Sequence, residues 1–137
     1  MITKLSHASV LVLEQDSAYD FYVNKLGFQV RTDATMDGGF RWLTVGPAGQ
    51  PDIEIILMPI SNCTESESDK KVLEELVRKG TFGIGVFDTL DCRQTYMDLK
   101  EKGVRFKSEP EEQFYGIEAI ITDDSGNWFS LSQQKSH

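Results

Sequence analysis

Apolar and polar residues alternate in short runs along most of this chain, and in each half the alternation gives way once to a helical spacing. KLSHASVLVL predicts a first strand. In QDSAYDFYVNKLG, Ala18, Phe21, Tyr22 and Leu26 then fall near one helical face. Ser17 with Asp20 three residues later resembles a capping box, and Gly27 stands where a left-handed helix end is expected. Three strand-like runs follow, FQVRTDAT, FRWLTVG and DIEIILMP, separated by MDGG and PAGQP, which are turn chemistry.

The second half repeats this order. TFGIGVFDT reads as a strand, LDCRQTYMDLKEKG as a helix with Asp91 as N-cap and Gly103 at its end, and VRFKSEP, GIEAIITDD and NWFSLSQQ as strands. Between the halves, ESESDKKVLEELVRKG places Val72, Leu73, Leu76 and Val77 on one amphipathic face. The expected organisation is one domain, with module one over about 1–60, a linking helix over about 65–80 and module two over about 81–134. Gly27 and Gly103 hold equivalent places, and the spacing between them carries Glu54 onto Ser130 and His7 onto Gly83, or onto Ile84 with one gap. Neither module buries both faces of its own sheet, so two small α+β modules are expected to pair.

Composition narrows the class. At 137 residues the chain is long enough for a real core, and 39% hydrophobic with 26% charged residues is ordinary for a soluble globular protein. The formal net charge of −8 argues against nucleic acid and anionic membranes as partners, since both need Lys/Arg patches. No apolar run is long enough to span a bilayer, and the N-terminus lacks the pattern of a secretory signal. Cys63 and Cys92 make neither a disulfide framework nor a CxxC motif, so a reduced, cytoplasmic protein is expected. GxSxG, GxGxxG, P-loop and HExxH signatures are all missing.

Several side chains stand out against that background. Glu54 sits inside IEIILM, where a carboxylate is costly to bury unless paired or hydrogen-bonded, and it is a candidate general base; a salt bridge to Arg41 or a solvent-facing edge position is the structural alternative. His7 lies on an apolar strand and groups with Ser9 and Leu11, so it reads either as a satisfied core or cavity histidine or as an acid–base group. Mid-strand Arg41 suits a ligand carboxylate or phosphate, or else is a solvated surface cation. Trp42, Trp128 and Tyr115, with Phe114, are candidate walls of a pocket for a flat or apolar ligand, or plain core and rim packing. Trp128, Ser130 and Ser132 share one face of the last strand, with no charged group between them.

Three segments, ASVLVLEQDSAYDFYVNKLGF, DCRQTYMDLKEKGVRFKSEP and YGIEAIITDDSGNWFSLSQQ, resemble the vicinal oxygen chelate superfamily, which includes the glyoxalase, bleomycin-resistance and extradiol-dioxygenase families. The resemblance implies two paired βαβββ modules forming a cupped mixed sheet around a cavity. It also implies a homodimer, and in metal-bearing members a divalent ion held from the first and last strand of each module. His7 and Glu54 match two of those four positions. Gly83 or Ile84 stands at the third and Ser130 at the fourth, and none of these is a useful ligand. The expectation is therefore a protein with an incomplete metal site and no cofactor, which binds a small organic molecule at His7, Glu54, Arg41, Trp42, Tyr115, Trp128 and Ser130. It would sequester that molecule or transform it by an unspecified reaction. A metal-dependent lyase, isomerase or dioxygenase, or a non-catalytic interaction module, are the alternatives.

Overall fold

A computed structural model describes residues 1–135. The described residues build the same unit twice, and each unit is a four-stranded mixed sheet. The chain divides into compact units over Met1–Glu75 and Leu76–His137, a boundary that falls inside the helix linking the halves.

The first unit contains β1 (His7–Val12), α1 (Gln15–Tyr19), β2 (Gln29–Thr35), β3 (Arg41–Gly46) and β4 (Glu54–Pro59). The helix α1 continues without a break into a π-helical segment, Asp20–Lys25. The sheet order is β1-β4-β3-β2; β1 lies parallel to β4, and the other neighbours are antiparallel. Glu14, not Ser17, caps α1, and it does so without a side-chain hydrogen bond. Ser17 lies inside the helix, so the expected capping box does not form. Gly27 does end the helical segment, with φ +79°. Alternation along β1 turns Val10 and Val12 into the core with Ala18, Phe21, Tyr22, Leu43, Val45 and Leu57, all at most 3% exposed. Burying such a side chain stabilises by roughly 1.5–3 kcal/mol. The opposite face carries His7, Ser9 and Leu11 on β1, with Ile56 and Met58 on β4.

The linking helix α2 (Glu67–Arg78) buries Val77, half-buries Leu73 and Leu76, and leaves Val72 53% exposed, so its apolar face is narrower than its sequence pattern suggested. The second unit follows with β5 (Gly83–Asp88), α3 (Cys92–Glu101), β6 (Arg105–Gln113), β7 (Gly116–Thr122) and β8 (Trp128–Gln134). Its sheet order, β5-β8-β7-β6, repeats that of the first, again with the outer pair β5 and β8 parallel. Asp91 caps α3 by accepting the Gln94 N–H at 3.0 Å, and Gly103 ends the turn that follows at φ +86°. Cys92, Ala119 and Leu131 form a buried cluster with Phe87, Phe106 and Ile117 against it, and Phe87 stacks on Phe129 at 4.2 Å between centroids. Burial pushes the Cys92 thiol above its ordinary pKa, as suits a packing residue and not a nucleophile.

Candidate functional site

On the first unit, two neighbouring parallel strands bring His7 and Glu54 side by side as register partners. Residues paired in this way project to the same face, here the one turned away from the buried core. His7 Nε2 lies 3.0 Å from Glu54 Oε2. The other carboxylate oxygen, Oε1, accepts the Thr44 hydroxyl at 2.6 Å from the next strand, β3. Behind His7, Nδ1 lies 2.9 Å from Ser6 Oγ. With Nε2 donating to the carboxylate, a neutral imidazole accepts the serine proton at Nδ1. Trp42, two residues before Thr44 on the same face, sets its ring 6.5 Å from the imidazole between centroids. The side chains of His7 and Glu54 keep 40% and 29% exposure, so a ligand reaches both. Half-buried Leu11, Ile56 and Met58 lie on the same sheet face, further along β1 and β4. The group can take a ligand hydroxyl, amide or carbonyl while the indole and aliphatic side chains take its apolar surface.

Thr44 is the member that sequence reasoning missed. It shares a strand face with Trp42, but a sequence does not state which residue of the neighbouring strand lies across from it. Thr44→Val keeps the shape and removes the donor. Because Glu54 is partly exposed, water replaces the lost bond, and the expected cost is about 1 kcal/mol, at the low end for an unpaired partner. Urea unfolding of the two proteins measures it, and a change above about 3 kcal/mol would mean that Thr44 carries packing this geometry does not show.

Arg41 lies apart from this group. Its neighbours Trp42 and Thr44 point to the His7–Glu54 face, so the pleat turns Arg41 to the other side. There Nε and Nη2 grip Asp33 at 2.8 and 2.9 Å, while Nη1 holds Asp16 of α1 at 2.7 Å. The fork-like bond to Arg41 draws the Asp33 carboxyl below its ordinary pKa, and the two carboxylates hold the guanidinium above its own. Its charge clamps the first turn of α1 to β2 and β3. Arg41 is not the partner of Glu54, which pairs with His7 and Thr44 instead.

The remaining candidates belong to the second unit. Trp128 and Gly83 open the β5–β8 ladder as His7 and Glu54 open the β1–β4 ladder. The Trp128 N–H donates to Phe82 O at 3.1 Å, as the Glu54 N–H donates to Ser6 O at 2.9 Å. Backbone register therefore carries Glu54 onto Trp128, two residues before the serine that spacing alone selects. A Cβ on Gly83 would lie 2.3 Å from the indole, so the tryptophan ring occupies the space a histidine would need. Ser130 pairs with Val86 on one side and Ile120 on the other, and is 9% exposed. Tyr115 sits in the β6–β7 turn with Phe114 edge-on to it at 5.1 Å. Desolvation and a hydrogen bond with Glu118 raise its phenol above the ordinary pKa.

The donor set bears on a metal ion. A catalytic divalent ion needs about three protein ligands. Among the described residues no group of three or more His, Cys, Asp or Glu comes together. In the first unit His7 and Glu54 are spent on each other, and in the second the register partners are glycine and tryptophan. These residues do not fit a resident catalytic metal.

Comparison with known proteins gives concordant results. A family model described as the Glyoxalase/Bleomycin resistance protein/Dioxygenase superfamily matches residues 4–131. The uncharacterized protein YurT of Bacillus subtilis (strain 168) is 36% identical over 96% of this chain and 99% of its own length. Among solved structures, UcmS2 is 43% identical with a TM-score of 0.93, covering 98% of this chain and 100% of its own. TnmS3, described as an antibiotic binding protein from Streptomyces sp. CB03234, is 28% identical with a TM-score of 0.76, covering 98% of each chain.

Proposed function

Because the chain belongs to the glyoxalase/bleomycin resistance protein/dioxygenase superfamily, we propose that it binds a small organic molecule of antibiotic type and holds it without altering it. The observation that carries this reading is the hydrogen-bonded set His7–Glu54–Thr44 beside Trp42, on a face of half-buried apolar side chains. A face of this kind orients a ligand by a few polar contacts and gains affinity from apolar contact. Its carboxylate already accepts from two neighbours, an arrangement suited to recognition. The likeness to TnmS3 supports the ligand class. The same reading takes Trp128, Ser130 and Tyr115 as binding residues of the second unit.

A homodimer belongs to this proposal. Edge strand β5 leaves Val86 62% and Ile84 38% exposed, an apolar edge that a second copy of the chain would cover. Light scattering on the eluting protein checks the mass, and a monomer at micromolar concentration would count against it.

The ligand reading is tested by a thermal-shift screen of small aromatic and polycyclic antibiotics, since a ligand that binds only the native state raises the apparent melting temperature by mass action. Hits are expected to dissociate chemically unchanged, as mass spectrometry of the recovered ligand would show. Turnover of the ligand would replace sequestration by catalysis. Metal is expected to be irrelevant: after dialysis, zinc, nickel, manganese and iron should each stand far below one equivalent. A near-stoichiometric metal that His7→Ala abolishes would overturn that part of the proposal.

A further inference from the structure

On a chain of net charge −8, four of the fourteen Lys and Arg residues gather at one cleft of the second unit. Arg78 ends α2 and Lys79 follows it; Arg105 and Lys107 come from β6, whose ladder with β7 shifts register between Phe106 and Ser108, and both line the cleft. Phe106 between them also borders the cleft and sets its ring 4.6 Å from that of Tyr96 between centroids. Gly80, Thr122 and Gly126 complete the lining of a cleft of about 270 Å³. No Asp or Glu is among the described residues that line it.

The backbone is shaped to this crowding. Gly80 turns the chain at φ +81°, a conformation that favours glycine, and a Cβ there would meet the mobile tip of Lys107. Lys107 Nζ donates to Gly80 O at 3.1 Å and lies 5.7 Å from the centre of the Trp128 ring. Arg105 reaches the Asp123 carbonyl only at 3.4 Å, a weak bond that spends little of its fork.

A structural reading covers part of this. Cations at the end of α2 complement the negative pole of the helix, which accounts for Arg78 and Lys79. It extends to Lys107, which donates to Gly80 O just past that helix end, but not to Arg105, which comes from a strand and adds like charge to the same small space. Like charges gathered at one cleft repel, and an anion between them relieves that repulsion.

We propose that this cleft binds a phosphate-bearing small molecule, its oxyanion received by the Arg105 fork and the Lys107 ammonium, with Lys79 and Arg78 closing the other side. Guanidinium supplies the paired, planar donors that phosphate oxygens accept, and ammonium a compact point charge beside them. The proposal does not depend on the ligand proposed for the first unit.

Pyrophosphate and inorganic phosphate are the probes, titrated by calorimetry into the full chain, with sodium chloride at matched ionic strength as the reference for simple screening. Pyrophosphate is expected to bind and to raise the melting temperature above the chloride reference. Arg105→Gln with Lys107→Gln should weaken it at least tenfold. Should that pair disturb the fold by circular dichroism, Lys79→Gln, at an exposed position clear of the strand, should still weaken binding several-fold. A response equal to that of chloride, or pyrophosphate affinity unchanged in the folded variants, would overturn the site.

Discussion

Gly126→Ala should destabilise the second unit by about 4 kcal/mol, a large part of the 5–15 kcal/mol that holds an ordinary domain together. Two independent terms add. Gly126 has φ +125°, a conformation that costs a side-chain-bearing residue of order 1–3 kcal/mol. The new Cβ would also stand 2.2 Å from Val77 O and 2.9 Å from Arg78 O, and both are backbone atoms at the end of α2. Backbone held by a buried Val77 has nowhere to retreat, so the overlap adds an overpacking cost of roughly 1–3 kcal/mol. The turn itself resists relaxation, because the buried Asp123 carboxylate accepts the N–H groups of Ser125, Gly126 and Asn127, each at 2.9 Å. Gly49→Ala is the matched control: nothing lies within 4 Å of its Cβ and its φ is unstrained, so it should be neutral or slightly stabilising. Denaturant unfolding of the three proteins decides. A Gly126→Ala midpoint within experimental scatter of the parent would mean that the turn and the end of α2 do not pack as described.

That turn shows what a sequence does and does not state. Asp123 to Asn127 reads as a turn from its residue types, and so it is. The residue types say nothing of Val77, because that contact depends on where the linking helix ends. The same division holds across the chain. Gly27, Gly103 and Asp91 were legible because helix ends are local chemistry, written within a few residues. The twofold βαβββ order was legible because strand and helix periods differ. The Ser17 cap failed for a reason just as local: the helix had already begun at Gln15, after its cap Glu14, so Ser17 was inside it.

The site was legible in part. Sequence named His7, Glu54 and Trp42, and the structure brings them together. It did not name the partners of Arg41, because the carboxylates that claim it come from other elements. It matched Ser130 to Glu54 by counting residues. Counting assumes equal loops, whereas the loop before β8, 123–127, is two residues shorter than the loop before β4, 47–53. A difference of this kind moves every downstream correspondence while leaving composition and periodicity untouched.

Trp42→Ala should lower affinity for a ligand found by the thermal-shift screen by about 30-fold, or about 2 kcal/mol, the scale on which a buried tryptophan contact counts in recognition. The argument rests on the composition of the face. His7, Glu54 and Thr44 are satisfied by one another before any ligand arrives, so each polar contact to a ligand trades against water and yields roughly 1 kcal/mol. The indole has no such compensation to lose, and covering it removes apolar surface from water at about 25 cal/mol per Å². The apolar term should therefore dominate affinity while the polar set governs which ligand is chosen. Glu54→Gln keeps an acceptor for Thr44 and turns its NH2 to His7, whose other tautomer accepts at Nε2, so it should cost under about tenfold and relax discrimination among related ligands. Calorimetry is the measurement, because removing an indole also removes a fluorescence reporter. If Trp42→Ala, with its fold intact, bound as tightly as the parent while Glu54→Gln lost binding altogether, recognition would be polar and the ligand would be seated away from Trp42.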